Sequence, residues 1–489
     1  MTALGEKKIL RPASTADLFA RYGANYRWYA VITVMLGATA MVLESTIVNV
    51  AIPGIMAHFN MGQETAQWLS AGFLASMTAT MLLATWCVRA LGQRRTYVTA
   101  LVLFIIVSLI GGVSTNPEVV IAARVLQGAV AGVIQPLAMI TIFDVFPPEQ
   151  RGRGMSVYGM GVVLAPALGP AVGGYLVDVF SWRAIFFVTM PFCLAGLCLA
   201  PHFMTERDPT RLRPAFDWLG LILLSLFLFS LLDSFQSGHK IGWASAAFLW
   251  RAGVALATGA GFILWELRTA HPMLELRLFQ ERGFGAASTV ALAYGMGLYG
   301  STYVVPLFVQ TVVQYSAAQS GILLLPGGLV LALTIILAGR LTDRLSSHYV
   351  VMAGLGCFSA SFLLFATGSA ATSFAAFVIW IIIGRIGLGA MIPSLNAGAM
   401  QAVRPKFLHQ GTSAINFLRQ FGGALGVNML SLTLDWRMTV HAAEPRGRTQ
   451  AFHDSFLALA LIFLLALLPA WRMRHARLRQ AESEFAGVE

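Results

Sequence analysis

Glu44 and Arg124 are the two ionisable side chains whose surroundings most plainly demand a chemical explanation. Glu44 stands in Leu43-Glu44-Ser45-Thr46-Ile47-Val48-Asn49-Val50-Ala51-Ile52-Pro53, and Arg124 in Arg124-Val125-Leu126-Gln127-Gly128-Ala129, each within a long apolar run. A charge in hydrocarbon costs at least about 2.5 to 3.5 kcal/mol on insertion scales, so each needs a partner or a task. Counted along ideal helices from the same membrane face, Glu44 lies roughly 13 Å deep and Arg124 roughly 9 Å deep, close enough for the side chains to meet. Such a pair suits proton coupling, because burial disfavours an ionised carboxyl and a nearby guanidinium favours it. A fixed ion pair that joins two helices is the other reading of the same residues.

Arg385 and Arg419 come out roughly 18 Å and 14 Å along their own apolar helices, and no acid between residues 284 and 471 lies at comparable depth. Either they hydrogen-bond to Asn396, Asn416 or backbone carbonyls, or they line an electropositive cavity that suits neutral or anionic substrates. Tyr294, Tyr299, Tyr303, Phe308 and Trp68 are aromatic candidates for lining a central cavity, together with Asn49, Gln127 and Asn416. A third feature is mechanical. Ala165, Gly169 and Gly173 recur at intervals of four, which puts small residues on one helix face for close approach of a neighbour. Pro166, and Pro170 just ahead of Gly173-Gly174, each remove a helix hydrogen bond, so a hinge is expected there.

Lipid must be the solvent for the elements that hold these residues. The 489 residues are 57% hydrophobic and 11% charged, against roughly 25% charged in a soluble domain. The net charge of +11 does not indicate nucleic acid, since the charges fall in short clusters between apolar runs. Each crossing of a core about 30 Å thick takes about 20 apolar residues. Fourteen such runs are found, at 28–51, 66–88, 97–114, 118–143, 155–178, 183–203, 216–235, 246–267, 284–312, 318–339, 349–368, 373–400, 410–434 and 453–471. The first is too long for a signal-peptide core and lacks a small-residue cleavage site. Placing the N-terminus inside puts 24 of the 33 Lys and Arg residues on the cytoplasmic side, the side that retains positive charge. Both termini are therefore expected in the cytoplasm.

An internal repeat is visible. Arg124 precedes Gly128-Ala129 by the same spacing as Arg385 precedes Gly389-Ala390, and prolines follow at Pro136 and Pro393. Gly154-Met155-Ser156 and Gly411-Thr412-Ser413 echo each other in the same register. The expected plan is 6+2+6: a cytoplasmic segment 1–27, a six-helix half 28–203, a linker 204–283 with two extra spans, a second half 284–471 and a tail 472–489. The two extra spans are expected at the periphery.

The first-span segment resembles the L-D-x-T-I-V-N-V-A-L-P signature of the fourteen-span drug/proton antiporters of the major facilitator superfamily, the EmrB/QacA type. Arg124-Val125-Leu126-Gln127-Gly128 resembles the superfamily's span-4 motif, and the run from Gly159 to Gly174 its antiporter motif. Ser181-Trp182-Arg183, Asp217-Trp218-Leu219-Gly220, His271-Pro272 through Phe279, and Asn416 through Gly423 extend the likeness over nearly the whole chain. The resemblance implies an all-α membrane protein of the major facilitator fold, with fourteen transmembrane helices in two pseudo-symmetric six-helix halves. It also implies export of lipophilic or amphipathic organic compounds in exchange for protons by alternating access, with no cofactor. By that analogy Glu44 takes part in proton coupling and Arg124 is its partner.

Two positions depart from the family pattern. The acid in span 1 is usually Asp, and Glu44 extends the carboxylate by one methylene. The loop after span 2 normally reads G-x-L-A-D-R-x-G-R-R, but here Arg89 replaces the acid. The matching loop of the second half keeps Asp343-Arg344, which are therefore expected to gate, with Asp144 partly neutralising the Arg89 cluster.

Other classes lack their residues. There is no H-E-x-x-H, D-D-x-x-D or G-x-x-x-x-G-K-[ST], so metalloprotease, prenyl-transfer and ATPase chemistry are not indicated. Cys87, Cys193, Cys198 and Cys357 have neither zinc nor disulfide spacing. Expected partners are protons, a small organic substrate and the bilayer of the inner cell membrane, with a periplasmic adaptor left open. A specific metabolite, fatty acid or siderophore remains an alternative cargo, and an importer or facilitator an alternative direction.

Overall fold

Backbone groups in hydrocarbon can satisfy one another only within helices or closed barrels, and long runs without strand alternation favour helices. A computed structural model of the chain describes residues 14–147, 168–206, 215–242, 244–270, 272–342, 345–404, 407–444 and 446–474, and its regular structure is helical. The first group of helices is α1 Thr15–Tyr22, α2 Tyr26–Phe59, α3 Gln63–Ala66, α4 Trp68–Met81, α5 Ala84–Leu91, α6 Gln93–Val113, α7 Pro117–Val145, α8 Leu168–Val179 and α9 Met190–Phe203. Two more follow, α10 Trp218–Ile241 and α11 Ala246–Glu266. The remainder are α12 Arg282–Thr311, α13 Ala317–Thr342, α14 Ser347–Phe365, α15 Phe374–Gln401, α16 Leu408–Val440, α17 Gly447–Leu465 and α18 Leu467–Arg472.

Among the described residues, eleven segments are long and apolar enough to cross a membrane, and a twelfth is the bent pair of Gln63–Met81 and Ala84–Leu91. α8 is a shorter apolar helix. α16 is 33 residues long, but its polar Asn, Gln, Arg and Asp residues keep it out of that apolar class. The chain is thus an all-helical, multi-pass membrane protein.

Local signals set several boundaries. Asn116 caps α7 by accepting from Glu118 N, and Pro117 occupies the first turn, where its missing N–H costs nothing. α2 runs eight residues beyond the apolar segment read from the sequence, through Pro53, and ends where Asn60 adopts a left-handed conformation with φ 50°. The 52° break between α4 and α5 was not foreseen. It follows two threonines that bond back onto their own helix, Thr78 Oγ1 to Leu74 O at 2.6 Å and Thr80 Oγ1 to Ser76 O at 2.9 Å; such back-bonding bends helices.

Packing gathers the helices into two groups. α2, α4, α6, α7 and α9 pack on one another, as do α12 through α17, and α2 with α12 and α4 with α16 form the seam. The expectation that both extra spans are peripheral is corrected for α10. It packs against α4 of one group and α16 of the other: Phe229 stacks on Trp68 with ring centroids 6.2 Å apart, Phe227 meets Phe421, and Asn428 Nδ2 donates to Leu232 O at 3.4 Å. Among the described residues, α11 packs chiefly on α10 and remains peripheral. An apolar stretch reveals its solvent but not which neighbours its two faces will find.

At the C-terminal end of α16, Arg437, His441 and Glu444 form a polar clasp onto Asp454 of α17, with His441 itself outside the spanning segments. His441 Nδ1 lies 2.7 Å from Glu444 Oε1 and Nε2 lies 3.1 Å from Asp454 Oδ2. The Glu444 hydrogen bond, helped by Asp454 and opposed by partial desolvation and Arg437, raises the His441 pKa above its ordinary value. A raised folded-state pKa contributes stability that is complete below about pH 6.5, the unfolded value, and is lost as pH climbs through the folded value. Melting temperature is accordingly expected to fall as pH rises above about 6.5, and His441→Gln to flatten that part of the profile. An equally steep profile in the variant would assign the dependence to other groups.

Candidate functional site

Pro117 and Asn116 start α7, and about two turns later Arg124 turns into the packed centre of the first helix group. Arg124 Nη1 lies 2.7 Å from Glu44 Oε1, with both side chains fully buried. The guanidinium also donates from Nη2 to the Glu44 carbonyl at 3.1 Å, from Nε to Leu69 O at 3.0 Å and from Nη1 to Gln127 Oε1 at 3.0 Å. Phe73 lies under its Cζ at 4.5 Å. The other carboxylate oxygen of Glu44 accepts from Thr189 Oγ1 at 3.0 Å, and Gln127 Nε2 donates on to Ser108 Oγ at 2.9 Å. A buried pair is tolerable only when the remaining donors and lone pairs are also satisfied, and here α2, α4, α6, α7 and the start of α9 each supply a partner. Thr189, Ser108 and the Leu69 carbonyl were missed from sequence, since a lone hydroxyl in an apolar run carries no mark of what it faces.

Small residues let these helices approach. A Cβ on Gly128 would lie 2.1 Å from Phe73 O, and one on Gly132 2.4 Å from Met77 O, so α7 rides directly on α4. Gly389, four residues after Arg385, likewise meets Leu331 O at 3.0 Å and Thr334 Cβ at 2.7 Å, so α15 rides on α13.

α8 has two glycine faces. A Cβ on Gly169 or Gly173 would meet Thr46 Oγ1 at 2.5 Å or Ile47 Cγ1 at 2.4 Å on α2. One residue round, Gly174 faces Ala317 O of α13 at 2.1 Å, and Gly321 of α13 faces the Pro170 carbonyl at 2.2 Å. At the same end, Asp178 accepts from Ala317 N at 3.2 Å and Ala318 N at 2.9 Å, capping α13. Gln310 Nε2 donates to Val50 O at 3.2 Å, and Gln63 Nε2 donates to the Tyr303 hydroxyl. The end of the bundle remote from the chain termini is therefore shut across the seam. Gly154, Ser156, Gly159, Ala165, Pro166, Asp343 and Arg344 lie outside the described residues.

Asp144 accepts from Gln93 Nε2 at 2.5 Å, which brings it to the loop after α5, where Arg89 is exposed and Arg94 pairs with Glu206. The cavity candidates separate. Asn49 is buried and accepts from Ser70 Oγ at 2.6 Å, Gln127 belongs to the ion-pair network, Tyr303 is buried against Gln63, Phe308 packs among Phe377, Phe452 and Phe456, and Trp68 faces α10. Each of these five meets a side chain or carbonyl of a neighbouring helix. Tyr294 and Tyr299 on α12 lie beside Arg419, and Tyr294 beside Arg385 as well; Asn416 is half-buried. Neither arginine forms the hydrogen bond to Asn396, Asn416 or a carbonyl that one reading anticipated, among the described residues.

The family model described as the Major Facilitator Superfamily matches residues 34–427. The chain is 30% identical over 456 residues to the Multidrug resistance protein B homolog of Mycobacterium tuberculosis (strain ATCC 25618 / H37Rv), covering 87% of this chain and 84% of the relative. It is 28% identical over 440 residues to the Methylenomycin A resistance protein of Streptomyces coelicolor, covering 89% and 90%. The fold is similar, with a TM-score of 0.69, to the crystal structure of a bacterial homolog to the human lysosomal transporter Spinster, at 15% identity and covering 93% of this chain and 98% of that one.

Proposed function

The chain belongs to the Major Facilitator Superfamily, a family of transporters rather than enzymes, and on that premise we propose that it is a proton-coupled exporter of lipophilic or amphipathic organic compounds. The observation that carries this reading is the Glu44–Arg124 pair, fully buried and held by five elements. Protonating Glu44 removes the charge that Arg124 is buried against, so proton occupancy biases the packing of α2 on α7 and α9, as alternating access requires. The relatives named for multidrug and methylenomycin resistance support export of organic compounds.

The proposed architecture is fourteen spans in a 6+2+6 plan, in the inner membrane with both termini cytoplasmic. Its support is internal. α7 rests on α4 through the glycine four residues past its arginine, and α15 rests on α13 through the equivalent glycine, which pairs span 2 with span 10 and span 4 with span 12. In that orientation the shut end is periplasmic, Gly169, Pro170, Gly173 and Gly174 form the closing face, and α10 straps one side of the seam. Asp343 and Arg344 remain proposed for the opposite gate, and a periplasmic adaptor remains a proposed partner.

Inverted vesicles with an acidified lumen, offered a panel of lipophilic antimicrobials, test the reading. Substrate is expected to enter the lumen as the lumen loses protons. Movement of substrate and protons in the same direction would instead mean symport, and would end the exporter assignment.

A further inference from the structure

The internal repeat places Arg385 on α15 where Arg124 stands on α7, yet the two arginines are treated differently. Arg124 meets a carboxylate on α2, whereas Arg385 faces Tyr294 on α12, the helix that occupies α2's place in the second group. Tyr294 is fully buried, and its hydroxyl has no hydrogen-bond partner among the described residues. Arg385 is 8% exposed. A Cβ on Gly327 would lie 3.1 Å from its Cγ, so the absence of a side chain there gives the arginine stem room along α13. Arg419 comes from α16, which crosses α12 beside this tyrosine so closely that a Cβ on Gly295 would lie 1.9 Å from the Arg419 carbonyl, and its charge is felt at both Tyr294 and Tyr299. A buried guanidinium, Arg385, and a half-buried one, Arg419, thus approach one buried phenol within the second helix group, and among the described residues neither guanidinium has a hydrogen bond or ion pair.

Buried guanidinium groups are stable only when matched by negative charge or acceptors. Their planar donors suit a carboxylate or sulfate, which can accept two parallel bonds. Ile381 and Leu388, about one turn to either side of Arg385 on α15, and Leu331 on α13 are buried apolar side chains, and Ile381 shares the surface of Gly327 with the arginine stem.

We infer that Arg385, Arg419 and Tyr294 form the head-group site for an anionic amphiphile, a molecule with one carboxylate or sulfate on an apolar tail, and that this is a cargo class of the exporter. The assignment deepens the proposed function and rests on it only for the word cargo. The anion takes the position toward Arg385 that Glu44 takes toward Arg124, and the tail lies in the apolar surroundings. A cationic amphiphile meets two like charges there and is disfavoured.

The test is equilibrium binding to the full chain in phosphatidylcholine nanodiscs, without any gradient, using dodecanoate and dodecyltrimethylammonium, which share a tail length and differ in head charge. Dodecanoate is expected to bind saturably and at least about tenfold more tightly, the ratio that one charge-assisted hydrogen bond supports. Arg385→Gln and Arg419→Gln should each weaken it about tenfold or more, with Arg385→Lys intermediate because the point charge survives and the fork does not. Thermal unfolding of ligand-free Arg385→Gln should occur at or above the wild-type temperature, since an unmatched charge has gone; a marked drop would mean a structural arginine and overturn the site. Equal binding of the two amphiphiles, or dodecanoate binding indifferent to both arginines, would also overturn it. If replacing phosphatidylcholine by phosphatidylglycerol abolishes dodecanoate binding, the site holds a bilayer lipid and the cargo assignment falls. Binding without a gradient is independent of proton exchange, so a negative result here leaves the exporter reading intact, and a symport result in vesicles leaves this site intact.

Discussion

Glu44→Gln is expected to abolish pH-driven transport, dropping it to the level of empty vesicles at every imposed gradient. Gln preserves the length of the side chain and keeps an oxygen for Arg124 Nη1, which now lies 2.7 Å from Oε1, so the geometry survives and only the titrating group is lost. Removing one member of a buried pair also strands the other, at about 3 to 5 kcal/mol, and Glu44→Gln should melt several degrees lower. Two further variants separate coupling from mere support. Glu44→Asp keeps a carboxylate one methylene shorter and should retain pH-driven transport at a reduced rate. Glu44→Gln combined with Arg124→Gln has no stranded charge and should recover much of the lost melting temperature while staying inactive. Recovery of transport together with stability in that double variant would make the pair a structural tie and nothing more.

Gly174→Val is expected to have the second largest effect, acting on closure rather than on protons. Its Cβ would lie 2.1 Å from the Ala317 carbonyl, and backbone cannot rotate away as a side chain can. Overpacking of this kind typically costs about 1 to 3 kcal/mol, and here the cost falls only on the state in which α8 touches α13. The population of the shut state should therefore drop roughly tenfold or more, taking substrate turnover with it, while the rest of the fold is untouched. Spin labels at Thr115 and Gln314, both exposed at the remote end on opposite sides of the seam, report the separation directly. Longer distances in the variant are expected; an unchanged distribution with normal transport would mean that α8 and α13 do not form the gate. Asp178→Asn should shift the same distances less, because it weakens two hydrogen bonds to the end of α13 and introduces no clash.

The meeting of Glu44 with Arg124 was legible because depth along a helix can be counted, and two opposite charges at similar depth in lipid have few alternatives to each other. The small face of α8 was legible for a similar reason, since a spacing of four returns to the same side of a helix. Counting, however, does not give rotation about the axis. Arg385 and Arg419 have the same depth signal as Arg124 and no acid at their depth, but only the structure showed that, among the described residues, they also lack the hydrogen bonds to Asn396, Asn416 or a carbonyl and that α12 presents Tyr294 to them.

By itself, then, the sequence determined that lipid surrounds this chain, that it crosses as helices, and that Glu44, Arg124, Arg385 and Arg419 are its costly residues. Those facts depend on composition and on distance along one helix. Only the tertiary structure decided that Thr189, 145 residues away, completes the Glu44 site, that Tyr303 and Phe308 belong to packing, and that α10 straps the seam. Each of these depends on which face of a helix meets which neighbour, and in a bundle whose spans are apolar on nearly every side, that choice is made by close packing between distant segments rather than by any local pattern.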